Sequence, residues 1–129
     1  MEKIQIEGTP TPKGHYSQGI VYNGLVYVSG QLPMNLTTGE IENGSIEAQT
    51  ELALRNVEAV LLAAGSDLNH VLQMTIYISD IELWGKVNEV YARVLGEHKP
   101  ARAIVPESMS RARVASRGKA SWRPEQEPP

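Results

Sequence analysis

The chain has 129 residues, a net charge of −3 and no cysteine. This length fits one ordinary domain, able to bury a core without disulfides or metals. The lack of cysteine excludes a disulfide scaffold, a thiolate nucleophile and cysteine-based zinc or iron–sulfur sites. The sequence has no run of about 18 apolar residues and no signal-peptide pattern at its start. We therefore expect a cytoplasmic protein whose single domain spans 1–129.

Basic residues are concentrated near the C-terminus. Five of the 12 lie between Arg111 and Arg123, whereas the first 110 residues carry seven basic and 13 acidic side chains. A basic tail on an acidic body can bind nucleic acid. Here the tail has one aromatic residue, Trp122, and the body offers no basic stripe to continue a phosphate track. The pattern does not favour a nucleic-acid partner.

The first 30 residues predict short strands and a tight turn. A strand is expected at Lys3–Ile6, and two more at 19–22 and 25–29. The latter two flank Asn23-Gly24, the strongest local signal for a hairpin, because both central turn residues need positive φ.

A long helix is predicted after a loop at 33–44. Ser45 is a plausible N-cap, and Gly65 sits where a left-handed residue would end the helix. The apolar residues between them recur at helical spacing: Ile46, Ala53, Val57, Val60, Leu61 and Ala64.

The second half of the chain predicts two further strands, a helix and a poorer last strand. Strands are expected at 71–78 and 101–105, and the helix between them should be capped by Asp80 and end at Gly96. Its buried stripe comprises Leu83, Val87, Val90, Tyr91 and Val94. Small residues alternate with mostly charged ones from Arg111 to Ala120, which can form a strand whose inner face has little bulk.

This order of elements predicts an α/β (α+β) layer, one sheet with two helices on one face. A chain of this length has only two helices to cover the sheet. We therefore expect its other face to meet further subunits.

The usual cofactor and metal motifs are absent from the sequence. The three histidines, His15, His70 and His98, are scattered without metal-ligand spacing, so no metal is predicted. There is no glycine-rich phosphate loop and no dinucleotide fingerprint. Ser29 does not lie in a nucleophile elbow.

Three short motifs carry a resemblance to a known family. Residues 14–18, Gly-His-Tyr-Ser-Gln, resemble a G-P-Y-S-Q loop; 29–33, Ser-Gly-Gln-Leu-Pro, resemble an S-G-Q-[IL]-P turn; and 100–102 read Pro-Ala-Arg. Their order and spacing, with matching helices between them, are similar to the reactive intermediate deaminase (Rid, or YjgF-like) family of the endoribonuclease L-PSP-type superfamily. The similarity covers roughly 1–106.

The resemblance implies a chorismate-mutase-like sheet and a homotrimer whose sheets pack into a central barrel. It also implies clefts between subunits that hydrolyse enamines and imines, such as 2-aminoacrylate and 2-iminobutyrate, to a 2-keto acid and ammonia. No cofactor is needed for this reaction. The expected partner is a small 2-imino or 2-keto acid.

Candidate site residues follow from these motifs. Arg102 and Tyr16 are predicted to be catalytic: a guanidinium can take a carboxylate bidentately, and Tyr16 can close the pocket and donate a hydrogen bond. Gly30 can offer a backbone N–H at close approach, Ser29 a hydroxyl and Asn88 an amide, so these three and Arg102 are the predicted substrate-binding residues. The alternatives are structural: an interface ion pair for Arg102, a packed loop aromatic for Tyr16, a strand exit for Ser29 and Gly30, and a structural amide for Asn88.

The C-terminal segment departs from the family pattern. Members carry a glutamate on the last strand that helps to orient water, but no acidic residue lies between Ser108 and Pro124 here. Ungapped spacing puts Arg117 at that position, and a small shift gives Ala115 or Ser116. Glu107, an odd number of residues after Arg102, should face away from the pocket. Glu125 and Glu127 fall in a Pro-rich tail.

Three interpretations of the divergent segment, 111–129, remain open: a divergent strand with altered specificity, a strand with a second cation, or a sequence altered by a shifted reading frame. The alternative function is a non-catalytic trimeric protein that binds small carboxylates. A weaker third alternative is a chaperone- or nucleic-acid-associated role for the tail.

Overall fold

A six-stranded sheet covered on one face by two helices forms the fold. The structure is a computed structural model that describes residues 1–106 and the backbone of 117–122. The strands are β1 (Glu2–Ile4), β2 (Gly19–Tyr22), β3 (Leu25–Val28), β4 (Val71–Ile78), β5 (Ala101–Pro106) and β6 (Arg117–Trp122). The helices are α1 (Ile46–Ala63) and α2 (Trp84–Leu95).

The strand order is β1-β2-β3-β6-β4-β5, so that β1 and β5 form the two edges. Every pair of neighbours is antiparallel except β4 and β5, which are parallel. A parallel pair needs a crossover, and α2 provides it. The α+β fold expected from the sequence is confirmed.

The hairpin and α1 form where local sequence signals predicted them. Asn23 and Gly24 have φ values of 54° and 79°, as the two-residue turn between β2 and β3 requires. The Ser45 hydroxyl accepts from the Ala48 amide at 3.1 Å and caps α1. At the other end Gly65 has a φ of 82°, and the Ser66 amide donates to the Leu61 carbonyl at 2.7 Å.

Three element boundaries differ from expectation by two or more residues. Strand β1 ends at Ile4, two residues early, because the Ile6 amide donates to the Gln18 side chain at 2.6 Å instead of to a strand. The Asp80 carboxylate accepts from the Glu82 amide and caps a 3₁₀ turn at 81–83, so α2 itself begins at Trp84. Strand β6 ends at Trp122, two residues beyond the expected end at Ala120. Residues 107–116, with Glu107, Ala115 and Ser116, and residues 123–129 lie outside the described part of the chain.

The core lies between the two helices and one face of the sheet. Its fully buried side chains include Val26 of β3, Met74 and Ile76 of β4, Val57 of α1 and Val87 of α2. Burying each such side chain contributes about 1.5–3 kcal/mol. On β2, β3 and β4 the side chains that alternate with the buried ones lie on the opposite face of the sheet, which we call the open face. These residues are Ile20, Tyr22, Leu25, Tyr27, Thr75 and Tyr77.

Two sequence-based exclusions can be compared with the described part of the chain. No helix there is long and apolar enough to cross a membrane. No group of three or more His, Cys, Asp or Glu side chains is placed there to hold a metal ion.

Candidate functional site

Arg102 is held by three side chains of α2, which together we call the Arg102 cradle. Its guanidinium lies over the ring of Trp84, with Cζ 4.5 Å from the ring centroid, and over the ring of Tyr91 at 4.8 Å. Its Nη1 donates to Oδ1 of Asn88 at 2.9 Å. All three partners bind the same group, so its position is defined from several directions.

Helical spacing explains the cradle. Trp84, Asn88 and Tyr91 stand at i, i+4 and i+7 along α2 and therefore share one face of the helix. Arg102 comes from the edge strand β5, where it pairs with Met74 of β4. Because α2 crosses between β4 and β5, this face of the helix lies beside the start of β5.

A cavity of about 400 Å³, the Arg102 cavity, opens beside the cradle. The cationic side chains of Lys99 and Arg102 line it together with His98, and none of the described residues that line it is acidic. A small anion in this cavity would therefore meet positive charge without a competing carboxylate.

The His98 ring and the Tyr91 hydroxyl are two polar groups at the Arg102 cavity that differ in their hydrogen bonding. The Nε2 atom of His98 lies 2.7 Å from the Val71 carbonyl oxygen; a carbonyl only accepts, so Nε2 carries the hydrogen and Nδ1 of the neutral ring is an acceptor. Tyr91 is 6% exposed, and its hydroxyl has no hydrogen-bond partner among the described residues. Burial raises the pKa of Tyr91, and the nearby positive charge of Arg102 lowers it by less.

Tyr16 and Gly30 line a second cavity of about 370 Å³, which we call the loop cavity. Tyr16 is 53% exposed, and its amide donates to the Gly14 carbonyl at 3.0 Å. A Cβ at Gly14 would lie 2.9 Å from the Tyr16 ring, so the ring packs directly on this glycine. From α1, Asn56 donates to the carbonyls of Leu32 and Met34 and holds the other wall.

Ser29 connects the two loops of this region. Its hydroxyl donates to the Ser17 carbonyl at 2.5 Å, and its amide donates to the Gln18 carbonyl at 3.1 Å. A serine hydroxyl has a single hydrogen to donate. In the described chain Ser29 therefore braces the loop that carries Tyr16, and its role in substrate binding stays a prediction.

Comparison with known proteins identifies the family. The family described as "Endoribonuclease L-PSP" matches residues 6–110. Among curated relatives, a RutC family protein of Pyrococcus horikoshii is 45% identical over 104 residues, which cover 81% of this chain and 82% of that protein. The chain belongs to the Rid/YjgF family.

Other Rid/YjgF relatives agree in sequence and fold. The putative reactive intermediate deaminase TdcF of Escherichia coli is 35% identical over 105 residues, covering 79% of this chain and 81% of TdcF. The structure of E. coli TdcF with bound serine matches with a TM-score of 0.85 and 31% identity over 95% of this chain and 98% of that one. A Thermotoga maritima structure described as a putative endoribonuclease matches with a TM-score of 0.87 and 34% identity, covering 95% and 97% of the two chains.

The Rid/YjgF candidate residues fall into two groups within one chain. Arg102 and Asn88 line the Arg102 cavity, whereas Tyr16 and Gly30 line the loop cavity, and no described residue lines both cavities. The structure thus joins Asn88 to Arg102 directly but does not bring Tyr16 or Gly30 to them.

The last strand adds no acidic side chain to the Arg102 row of the sheet. Across β5, β4 and β6 the paired residues are Arg102, Met74 and Ala120, whereas Arg117 pairs with Tyr77 further along β4. Strand β6, with the sequence Arg-Gly-Lys-Ala-Ser-Trp, contains no Asp or Glu.

Sequence reasoning missed Trp84 and His98 as parts of the site, and it assigned Tyr91 to the core alone. Tyr91 is indeed in the core, yet its ring also contacts Arg102. The signal for the cradle was the i, i+4, i+7 spacing of Trp84, Asn88 and Tyr91 ahead of the Pro-Ala-Arg motif. For His98 the only signal was its position four residues before Arg102.

Proposed function

We propose that this chain is a hydrolytic deaminase of small 2-imino acids that works as a homotrimer with its sites between subunits. The observation that carries the proposal is the state of Arg102. Among the described residues only Nη1 is engaged, so Nη2 and Nε retain N–H groups for a ligand beside a cavity without acidic lining. A planar pair of N–H donors is the group that binds a carboxylate bidentately.

The ligand class follows from the family and from this charge. Serine, bound in the E. coli TdcF structure, carries a carboxylate next to a carbon that bears nitrogen. A 2-imino acid has the same arrangement with a C=N bond. With its carboxylate on Arg102, the adjacent imine carbon would lie within the site, at a fixed distance from the guanidinium.

The intersubunit location is supported by two features. The groups around Arg102 and around Tyr16 line separate cavities within one chain. The open face of the sheet also exposes aromatic side chains, with Tyr22 at 59% and Tyr27 at 48%. Exposed apolar faces of this kind mark interaction surfaces. In the proposed trimer the loop cavity of one subunit closes over the Arg102 cavity of the next, so that Tyr16 and the Gly30 amide complete the site.

Hydrolysis also needs a group that orients water, and His98 is our candidate. Its Nε2–H is tied to the Val71 carbonyl, which leaves Nδ1 of the neutral ring to accept a proton from water. Water would add its oxygen to the imine carbon while its proton passes through Nδ1 of His98 to the imine nitrogen, which gives a carbinolamine. Transfer of the hydroxyl proton through the same ring to the amino group then breaks the C–N bond, so that ammonia leaves and the C=O bond of the 2-keto acid forms.

The activity is tested by generating 2-iminobutyrate with a threonine dehydratase and following the formation of 2-ketobutyrate. We expect the wild-type chain to accelerate this step and Arg102→Ala to abolish the acceleration. His98→Gln should lower kcat while leaving the affinity for 2-ketobutyrate unchanged. A matched control is His70→Gln, because His70 is also half-buried and bonded to Asp67 but does not line the Arg102 cavity. A wild-type rate equal to the uncatalysed rate contradicts the enzymatic proposal.

A second candidate function is a non-catalytic trimer that binds small carboxylates through Arg102. It is favoured by the absence of acidic residues between Ser108 and Pro124, where the family resemblance led us to expect a glutamate. The two candidates differ in one outcome. Binding of 2-ketobutyrate that depends on Arg102, without acceleration of imine hydrolysis, supports the binding protein.

A further inference from the structure

The guanidinium of Arg102 rests on two aromatic rings as well as on its hydrogen bond. The rings of Trp84 and Tyr91 lie 4.5 and 4.8 Å from Cζ. Both distances are inside the 6 Å within which a cation is attracted to the face of an aromatic ring. Asn88 already accounts for the hydrogen bond, so the rings make a separate contribution to the position of this side chain.

The two rings are themselves held in place. Tyr91 belongs to the buried core, and Trp84 is half-buried and packed against that core. Buried side chains occupy defined rotamers in a closely packed interior. The rings therefore form a fixed surface, which we call the aromatic platform, and a planar cation lying on it keeps its plane.

The platform and Asn88 constrain different motions. Stacking restricts tilting of the guanidinium plane, whereas the bond from Nη1 to Asn88 restricts rotation within the plane. Together they leave the Nη2 and Nε edge in one orientation. A lysine in place of Arg102 could not be oriented in this way, because an ammonium is a point charge without a plane.

We infer that Trp84 and Tyr91 are positioning residues that fix the Arg102 guanidinium, so that its free Nη2 and Nε edge is already oriented to bind a carboxylate. This inference rests on the proposed function, in which Arg102 binds the carboxylate of the ligand. Because the guanidinium is already ordered, ligand binding does not have to immobilise it, and part of the usual entropic cost is avoided.

The affinity for 2-ketobutyrate, measured by calorimetry on the full chain, tests the positioning role. Trp84→Leu should weaken binding about five- to tenfold, the range expected for a partly desolvated cation–π contact. Trp84→Phe keeps a ring and should restore most of the affinity. The matched control is Leu83→Ala: Leu83 also packs against the core but makes no ring contact with Arg102, so its loss should lower stability and leave the affinity unchanged.

A further readout separates positioning from a general structural effect. In a double-mutant cycle, Arg102→Lys should cost less affinity in the Trp84→Leu background than in the wild type, because the aromatic platform no longer holds the guanidinium plane that lysine lacks.

The results distinguish this inference from the proposed function beneath it. If Arg102→Ala leaves the affinity for 2-ketobutyrate unchanged, the carboxylate site itself is wrong. If Arg102→Ala abolishes binding while Trp84→Leu leaves the affinity for 2-ketobutyrate unchanged, the carboxylate site stands and the positioning role is overturned.

Discussion

The Arg102 cradle and the loop that carries Tyr16 are built in different ways. In the cradle, side chains of α2 contact the side chain of Arg102, so the functional group itself is held. In the loop, Ser29 and Asn56 bond to backbone carbonyls and fix the main chain, while Tyr16 remains 53% exposed. One half of the proposed site is therefore ordered before a ligand arrives, whereas the other has an ordered backbone and an aromatic side chain that a neighbouring subunit can cover.

The largest effect should come from removing the cradle's cation. Arg102→Ala deletes two charge-assisted hydrogen bonds to the ligand and should weaken 2-ketobutyrate binding at least about 100-fold. Arg102→Lys retains the charge but not the bidentate geometry and should lose about tenfold. Calorimetric titration measures both. Arg55→Ala is the control, because Arg55 is exposed and its ion-pair partners in the described part of the chain are Glu51 and Glu58. Equal affinities for the wild type and Arg102→Ala would contradict this account.

A smaller effect should follow from changing the partner of Nη1. Asn88→Asp places a carboxylate where the amide oxygen accepts from Arg102 and would pair with the guanidinium in competition with the ligand. We expect about tenfold weaker binding, and a smaller loss for Asn88→Ala, which only removes the orienting bond. The affinities of the two variants for 2-ketobutyrate give the comparison. Affinities of both variants equal to that of the wild type would show that Asn88 does not hold Arg102 for the ligand.

A change in the loop that carries Tyr16 should lower the stability of the protein more than its affinity for 2-ketobutyrate. Ser29→Ala removes the bond to the Ser17 carbonyl and should lower the free energy of unfolding by about 1 kcal/mol. Urea unfolding measures the change, and the 2-ketobutyrate affinity should fall by less than about twofold. A large loss of affinity with unchanged stability would instead identify the hydroxyl as a ligand donor.

The smallest expected effect is a loss of stability at alkaline pH. Burial raises the folded-state pKa of Tyr91 above its ordinary value near 10, with Arg102 opposing the shift in part. Its contribution to stability is therefore complete below pH 10 and is lost as the pH rises from there through the folded-state pKa. Urea unfolding of wild type and Tyr91→Phe between pH 8 and pH 11 should show the wild type losing stability relative to the variant only above about pH 10. A constant difference across that range would mean that Tyr91 does not titrate differently on unfolding.

Prediction from sequence succeeded where the signal was local. Asn23-Gly24 set the hairpin, and Ser45 and Gly65 set both ends of α1, because each acts within a few residues. It erred where a distant partner decided the boundary. Strand β1 is short because the Ile6 amide donates to the side chain of Gln18, which lies 12 residues further along the chain.

The site shows the same division. The short motifs named Arg102, Tyr16 and Gly30, and the matching second helix named Asn88. The contact between Asn88 and Arg102 spans 14 residues and depends on how α2 crosses from β4 to β5. The separation of Tyr16 and Gly30 from Arg102 is a property of the folded chain, and short sequence motifs do not predict it.

The central claim, that the two halves of the site come from different subunits, is tested most directly by mixing two defective variants. Arg102→Ala and Tyr16→Ala chains would be coexpressed in equal amounts, and high-affinity sites for 2-ketobutyrate counted by calorimetry. If each site takes Arg102 from one subunit and Tyr16 from its neighbour, about one quarter of the sites regain both side chains and wild-type affinity. If both halves belong to one chain, no mixed assembly contains an intact site, and the absence of any wild-type affinity would contradict the account.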